Sequence, residues 1–252
     1  MNIQQHTSPN VNRGRQGWIP DIIVCHITEG AFNGAVSWLT NPQSQVSSHF
    51  VVAQDGRIAQ LVPITDTAWA NGTTTGADNR SNRHSRLDAV RRRNVNANLY
   101  TISIEHEGRL TETGGRLTPA QLEATVWLIG HIRSEVRRIF NTEIPISRDN
   151  IVGHADITPQ WKPNCPGAGF QFDEIIQRLR ANESGSTAGA APIPSRWARE
   201  AWEWATQNRL TDGTNPQGTP TREQMMQLLY NYDRFISSNS RSQASPEASL
   251  GI

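Results

Sequence analysis

Lysine is almost missing from this chain of 252 residues: among 24 basic side chains, Lys162 is the single lysine and the others are arginine. An ammonium is a compact, strongly hydrated point charge, unlike the planar fork of a guanidinium. One lysine in an arginine-rich chain therefore marks its neighbourhood for inspection. Cysteine is nearly as scarce, with only Cys25 and Cys165, which rules out a disulfide-framed scaffold. An excess of one charge sign is absent too: the formal net charge is +1, so nothing in the overall balance draws the chain to nucleic acid. No apolar run approaches the roughly 20 residues that span a bilayer, and the mean hydropathy of -0.57 argues against membrane insertion. The opening MNIQQHTSPNVNRGRQGW lacks the apolar core of a secretory leader, so the expectation is synthesis in a host cytoplasm without a signal peptide.

What is present reads as an α/β domain followed by a small helical module. DIIVCHIT, residues 21–28, is an apolar β-branched run and predicts a central strand. If His26 faces one side of the sheet, Cys25 faces the other, which makes Cys25 a core residue and Cys165 the chemically active thiol. GAVSWLT suggests a short helix over 34–40, and residues 49–62 a hairpin about Asp55-Gly56, a dipeptide favoured in type I′ turns. Residues 70–98, rich in Asn, Gly and Arg, read as a long loop. LYTISIEHEG alternates, setting Ile102, Ile104 and His106 against Ser103, Glu105 and Glu107. Thr118, Pro119 and Gln121 form a capping box for an amphipathic helix carrying Leu122, Val126, Ile129, Ile132 and Val136. Residues 150–157 suggest a further strand, and FQFDEIIQRLR a closing helix near 180. The predicted organisation is a domain over 1–181, a linker over 182–194, a two-helix module over 195–236 whose second helix opens on a capping box of Thr221 and Gln224, and a disordered tail over 237–252.

The chemistry concentrates in HADITPQWKPNCPG, residues 154–167. A catalytic zinc commonly has three protein ligands drawn from His, Cys and carboxylate, and keeps a fourth position open. His154 and Cys165 share this segment, and His26 ends a strand. Taken singly, each also fits a hydrogen-bonded histidine or a packed cysteine, and spacing alone does not choose between these readings.

A resemblance sharpens the choice. CHIT, SSHFVVAQDG, AWANG, TISIEHEG, LTPAQ and GHADITPQWKPNCPG occur in the order seen in type-2 zinc amidases, the N-acetylmuramoyl-L-alanine amidases related to peptidoglycan recognition proteins. The likeness covers roughly residues 18–180. It implies a mixed central β-sheet flanked by helices, a zinc at the floor of a groove, and cleavage between N-acetylmuramic acid and the L-alanine of the stem peptide. By position it makes His26, His154 and Cys165 the zinc ligands, Glu105 the proton-transferring carboxylate, and Lys162 the cation beside the developing oxyanion. The chain departs from the family pattern at Ser48 and Ala70, and by one extra residue between Lys162 and Cys165. His49 reads as structural. Arg80, Arg83, Arg86, Arg91, Arg92 and Arg93 either grip peptide carboxylates or wall polymers, or form a solvated insertion.

Trp197-Ala198, Asp212-Gly213-Thr214 and Thr221-Arg222-Glu223 resemble a single S-layer-homology repeat. A lone repeat leaves Trp202, Trp204 and Met225 in need of partners, which implies binding to a secondary cell-wall polymer combined with homo-oligomer formation. The whole then reads as a phage or prophage endolysin acting on the cell wall after release. Two other classes remain: a noncatalytic peptidoglycan-binding module of the same fold, which often lacks the metal-binding cysteine, and a Cys-His nucleophilic hydrolase using Cys165.

Overall fold

An apolar β-branched run becomes a strand when both of its faces can be covered, and Ile22–Ile27 meets that condition. In the computed structural model, which describes residues 1–185, 198–208, 210–211 and 222–242, this strand is buried from Ile22 to His26 and has a paired strand on each side. The six-stranded sheet runs, in spatial order, β1 (Ile3–Gln5), β5 (Ile58–Gln60), β4 (Phe50–Val52), β7 (Thr101–His106), β3 (Ile22–Ile27) and β8 (Ile151–Gly153). The β4–β5 hairpin is antiparallel and every other pairing is parallel, so the sheet is mixed. β2 (Val11–Asn12) and β6 (Thr67–Ala68) form a separate antiparallel pair.

Helices cover the sheet: α1 (Phe32–Leu39), α2 (Asp88–Arg93), α3 (Leu110–Thr113), α4 (Pro119–Phe140), α5 (His154–Ile157) and α6 (Phe172–Gly185). One face carries Ile23, Cys25, Phe50, Val52, Ile102 and Ile104, which pack with Leu122, Val126, Ile129, Ile132 and Val136 of α4 and Ile175, Ile176 and Leu179 of α6. Truncating one of these buried aliphatics to alanine costs about 2–5 kcal/mol. The opposite face is divided. Ile22, Val24 and Val152 pack with Leu87, Val90 and Tyr100, whereas Val51 and Ala59 pack under Phe32, Val36 and Leu39 of α1. Between these apolar patches the strands present His26 and Glu105, paired in register. A sheet face that is apolar at both flanks and polar along its middle places a groove there.

Several local expectations are corrected. The hairpin turn is not type I′, which needs positive φ at both central residues. Ala53 O accepts the Gly56 N–H at 3.0 Å, so Gln54 and Asp55 are central, and neither has positive φ, while Gly56 has φ +89°. A Cβ on Gly56 would lie 3.2 Å from the Ala120 carbonyl oxygen, so the sharp turn also lets α4 approach. Thr118 Oγ1 does accept the Gln121 N–H at 3.1 Å, but the capping box closes only on that side. The Gln121 side chain donates instead to Val52 O and Glu107 O, at 3.1 and 3.0 Å, tying the start of α4 to two strands. Residues 70–98 are not a featureless loop: they hold α2 and two 3-10 turns, Asn82–His84 and Ala97–Tyr100, with Val90 and Ala97 fully buried. The strand expected over 150–157 ends at Gly153, and His154 opens the helical turn α5.

The chain divides into two compact units, Met1–Asn182 and Glu183–Ile252. Within the second, α7 (Arg199–Gln207) and α8 (Arg222–Ser242) are helical, and Trp204 meets Phe235 edge-on, with ring centroids 5.6 Å apart. Helix α8 continues to Ser242, past residue 237 where the tail was expected to begin. Trp197, most of the expected linker, the DGT and TRE motif starts at Asp212 and Thr221, and residues 243–252 lie outside the described residues.

Candidate metal centre and groove

Parallel pairing explains how residues far apart in the chain meet. Gly153 at the end of β8 pairs with Cys25 of β3, so the next residues on the two strands, His154 and His26, are side by side. Their rings are 4.5 Å apart between centroids, at 70°. Gly153 has to be glycine there, since a Cβ would lie 2.7 Å from Pro166 Cδ and 3.2 Å from Cys165 O. That close approach brings the returning segment in, and Cys165 O accepts the Ala155 N–H at 2.8 Å. The outcome is one donor atom each from His26, His154 and Cys165, all within 4.8 Å of one another.

Electrostatics keep both imidazoles neutral, the form that binds a cation. Burial, reinforced by repulsion from the neighbouring His154, His106, Lys162 and His49, holds His26 well below the usual histidine range. Burial and the Lys162 charge push His154 down to about 3. The Cys165 thiol is pushed up to about 12 by burial and by the Glu105 charge, against the Ile27 N–H and the Lys162 charge, which lower it. A thiol held protonated in this way becomes a thiolate when a soft cation replaces its proton. His26 Nε2 and Glu105 Oε2 are both buried without a hydrogen-bond partner. Unpaired buried polar atoms are costly, and a cation beside the imidazole nitrogen would relieve that cost. Two neutral imidazoles and one sulfur fit zinc, and leave room for a fourth ligand.

Glu105 sits on β7 in register with His26, its Oε1 4.0 Å from His26 Nδ1. That spacing, with a neutral imidazole, is not an ion pair. Burial raises the carboxyl to about 7, opposed by Lys162. Lys162 is exposed at the groove wall, and its charge acts on Glu105, His26 and His154. All five residues picked out from the sequence thus line one groove of about 1150 Å³. His49 does not line it. That ring is buried beneath, with Nδ1 accepting the Ser103 N–H at 3.1 Å and Nε2 2.9 Å from Arg15.

Sequence reasoning missed the tryptophans of the walls. Trp38 from α1, Trp69 and Trp161 face the groove, Trp38 and Trp161 being about half exposed. Half-exposed tryptophans around a polar floor are the available signal, since sugar rings stack on such faces. It also missed Glu107, whose carboxylate accepts the Phe32 and Gln54 N–H groups at 2.9 and 2.7 Å. Glu107 thereby supplies the start of α1 with the cap that Ala31 cannot provide.

A family model described as N-acetylmuramoyl-L-alanine amidase matches residues 15–168, more than half of the chain. N-acetylmuramoyl-L-alanine amidase A of Achromobacter lyticus is 33% identical over 93 residues, 36% of this chain and 40% of that protein. AmiD of Escherichia coli K12 is 28% identical over 169 residues, 62% of this chain and 52% of that one. AmpD of Haemophilus influenzae is 29% identical over 139 residues, covering 55% and 61%. The chain therefore spans about half the length of the curated relatives it matches. Among solved structures, PlyL superposes with a TM-score of 0.49 at 20% identity, over 71% of this chain and 97% of its own. AmiD in complex with anhydro-N-acetylmuramic acid-L-Ala-D-γ-Glu-L-Lys gives 0.45 at 22%, over 87% and 82%.

Proposed function

The chain belongs to the N-acetylmuramoyl-L-alanine amidase family, and on that premise we propose that it hydrolyses the amide between N-acetylmuramic acid and the L-alanine of the peptidoglycan stem peptide, with zinc held by His26, His154 and Cys165. The observation that carries this reading is the meeting of those three donors beside a buried carboxylate with an unpaired oxygen, at the floor of an open groove. When bound there, zinc supplies Lewis acidity for the scissile carbonyl and acidifies a water near it.

The chain's own residues do the rest. Glu105, raised to about 7, is poised to accept a proton near neutral pH and release it again. It takes a proton from the water that adds to the lactyl carbonyl carbon. It returns that proton to the alanine nitrogen as the C–N bond breaks, so the amine leaves neutral. The Lys162 ammonium stands beside the carbonyl oxygen as negative charge grows on it, a role usually worth a few kcal/mol. His26, fixed on a central strand, sets the depth at which the carbonyl can approach.

The finer reading is a phage or prophage endolysin whose second unit attaches to wall polymer and self-associates. The paired helices α7 and α8, with the Trp204–Phe235 contact, support a small folded module there. Digestion of purified sacculi followed by end-group analysis tests the core of the proposal. New N-terminal L-alanine, without new reducing sugar ends, is the expected product. Binding to sacculi with no release of that end group would contradict it and favour a noncatalytic wall-binding protein.

A further inference from the structure

The arginines of the 70–98 segment fall into two kinds. Arg83 donates to Ser81 Oγ and Gly76 O, at 3.2 and 3.3 Å. Arg86 lies 3.6 Å from the Asp156 carboxylate. Arg91 and Arg92 pair with Asp88 along one helical turn, and Arg93 donates to Asp21 at 2.8 Å. These five fasten the segment to itself and to the domain. Arg80 differs. Its guanidinium has no carboxylate or carbonyl partner among the described residues, faces the groove, and rests against the Trp161 ring, 5.8 Å from its centroid.

The backbone around Arg80 is fixed. Its N–H donates to Asp78 Oδ1 at 2.8 Å, and the Thr74 N–H donates to its carbonyl at 3.1 Å. Asp78 is the nearby acid of the same turn, and its Oδ1 also accepts the Thr74 hydroxyl at 2.9 Å. It forms no ion pair with the guanidinium. The segment is stapled to the metal-site loop as well: the Arg86 N–H and the Ser85 hydroxyl donate to Asp156 O, at 2.9 and 2.8 Å. A cation held against an aromatic face spends none of its N–H donors, so all five stay available to a ligand. A planar fork with free donors suits a carboxylate, which it can bind through two parallel hydrogen bonds.

We propose that Arg80, oriented by Trp161, binds a free carboxylate on the stem peptide, the α-carboxylate of its γ-linked second residue. The inference rests on the amidase reading. Trp161 directly precedes Lys162, which that reading sets beside the scissile carbonyl, so a group held at Arg80 lies a short distance along the peptide from the bond that breaks. A γ-linked glutamate leaves its α-carboxylate unblocked, while amidation removes the charge and one acceptor oxygen. Arg80 thus sets a preference between the acid and amide forms of the same peptide.

The test uses the full zinc-loaded chain on two soluble muropeptides, N-acetylmuramic acid-L-Ala-γ-D-Glu-L-Lys with the α-carboxylate free or as its carboxamide. The wild type is expected to favour the acid by about 10- to 100-fold in kcat/KM, the usual worth of a charge-assisted hydrogen bond, with the difference mainly in KM. Arg80→Gln brings the ratio to within about twofold of unity, chiefly through loss of the acid's advantage, while its thermal midpoint and zinc content at the wild-type level report an intact fold; Arg80→Lys retains part of the preference. An unchanged ratio in Arg80→Gln, or no preference in the wild type, overturns the inference while the amidase reading stands. Cleavage of neither peptide by the wild type overturns the amidase reading and this inference with it.

Discussion

The site has two halves built in different ways. His26 and Glu105 stand on neighbouring parallel strands, in register, inside the most heavily buried part of the sheet. Lys162 and Cys165 stand on a returning segment, held by contacts such as Ala155 N–H to Cys165 O at 2.8 Å and Lys162 N–H to Thr158 O at 2.9 Å, while the side chains of residues 161–164 are exposed. His154 joins the halves, as the first residue past a paired strand. The difference teaches a division of labour. The strands fix the depth and protonation state of His26 and Glu105, while the loop brings the third donor, Cys165, onto them and exposes Lys162 to meet charge from the solvent side.

Substitutions on the two sides should therefore differ in size and kind. Glu105→Gln keeps the shape and removes the proton acceptor, so kcat is expected to fall by about 10²- to 10⁴-fold while zinc content stays at the wild-type level. Parallel turnover and metal measurements check this, and a variant within about tenfold of wild type would break the assignment. Lys162→Met, on the exposed side, is expected to lower kcat by about 100-fold, the low end for losing one stabilising donor at an oxyanion. Its thermal midpoint should remain unchanged, because the ammonium is exposed. A loss of stability without a loss of kcat would make Lys162 a structural residue.

Much of this was legible in the sequence, for identifiable reasons. A β-branched run such as DIIVCHIT declares a buried strand, and strand alternation then puts His26 and Glu105 on one face and Cys25, Ile102 and Ile104 on the other. Helix α4 declared itself through Thr118, Pro119 and five spaced aliphatics. What was illegible depends on partners remote in the chain. Gln121 looked like half of a cap, but the strand carbonyls of Val52 and Glu107 compete for its amide. The Arg-rich segment looked shapeless because α2 is only six residues long. Its order comes from Asp21 and Asp156, far away in sequence. Which arginine remains free for a ligand follows only once those pairings are known. His154 looked like a strand residue because the turn that follows it is held by its own Asp156, whose Oδ2 accepts the Gly153 N–H at 2.9 Å.

The central claim is that side chains from both halves hold one cation together. Metal analysis of the purified full chain, beside Cys165→Ser, tests it most directly. The account predicts about one zinc per wild-type chain, removed by chelator and restored by added zinc, and a sharply reduced content in the variant with the fold retained. A wild-type chain that takes up no zinc, or a Cys165→Ser chain that binds it just as tightly, would contradict the account.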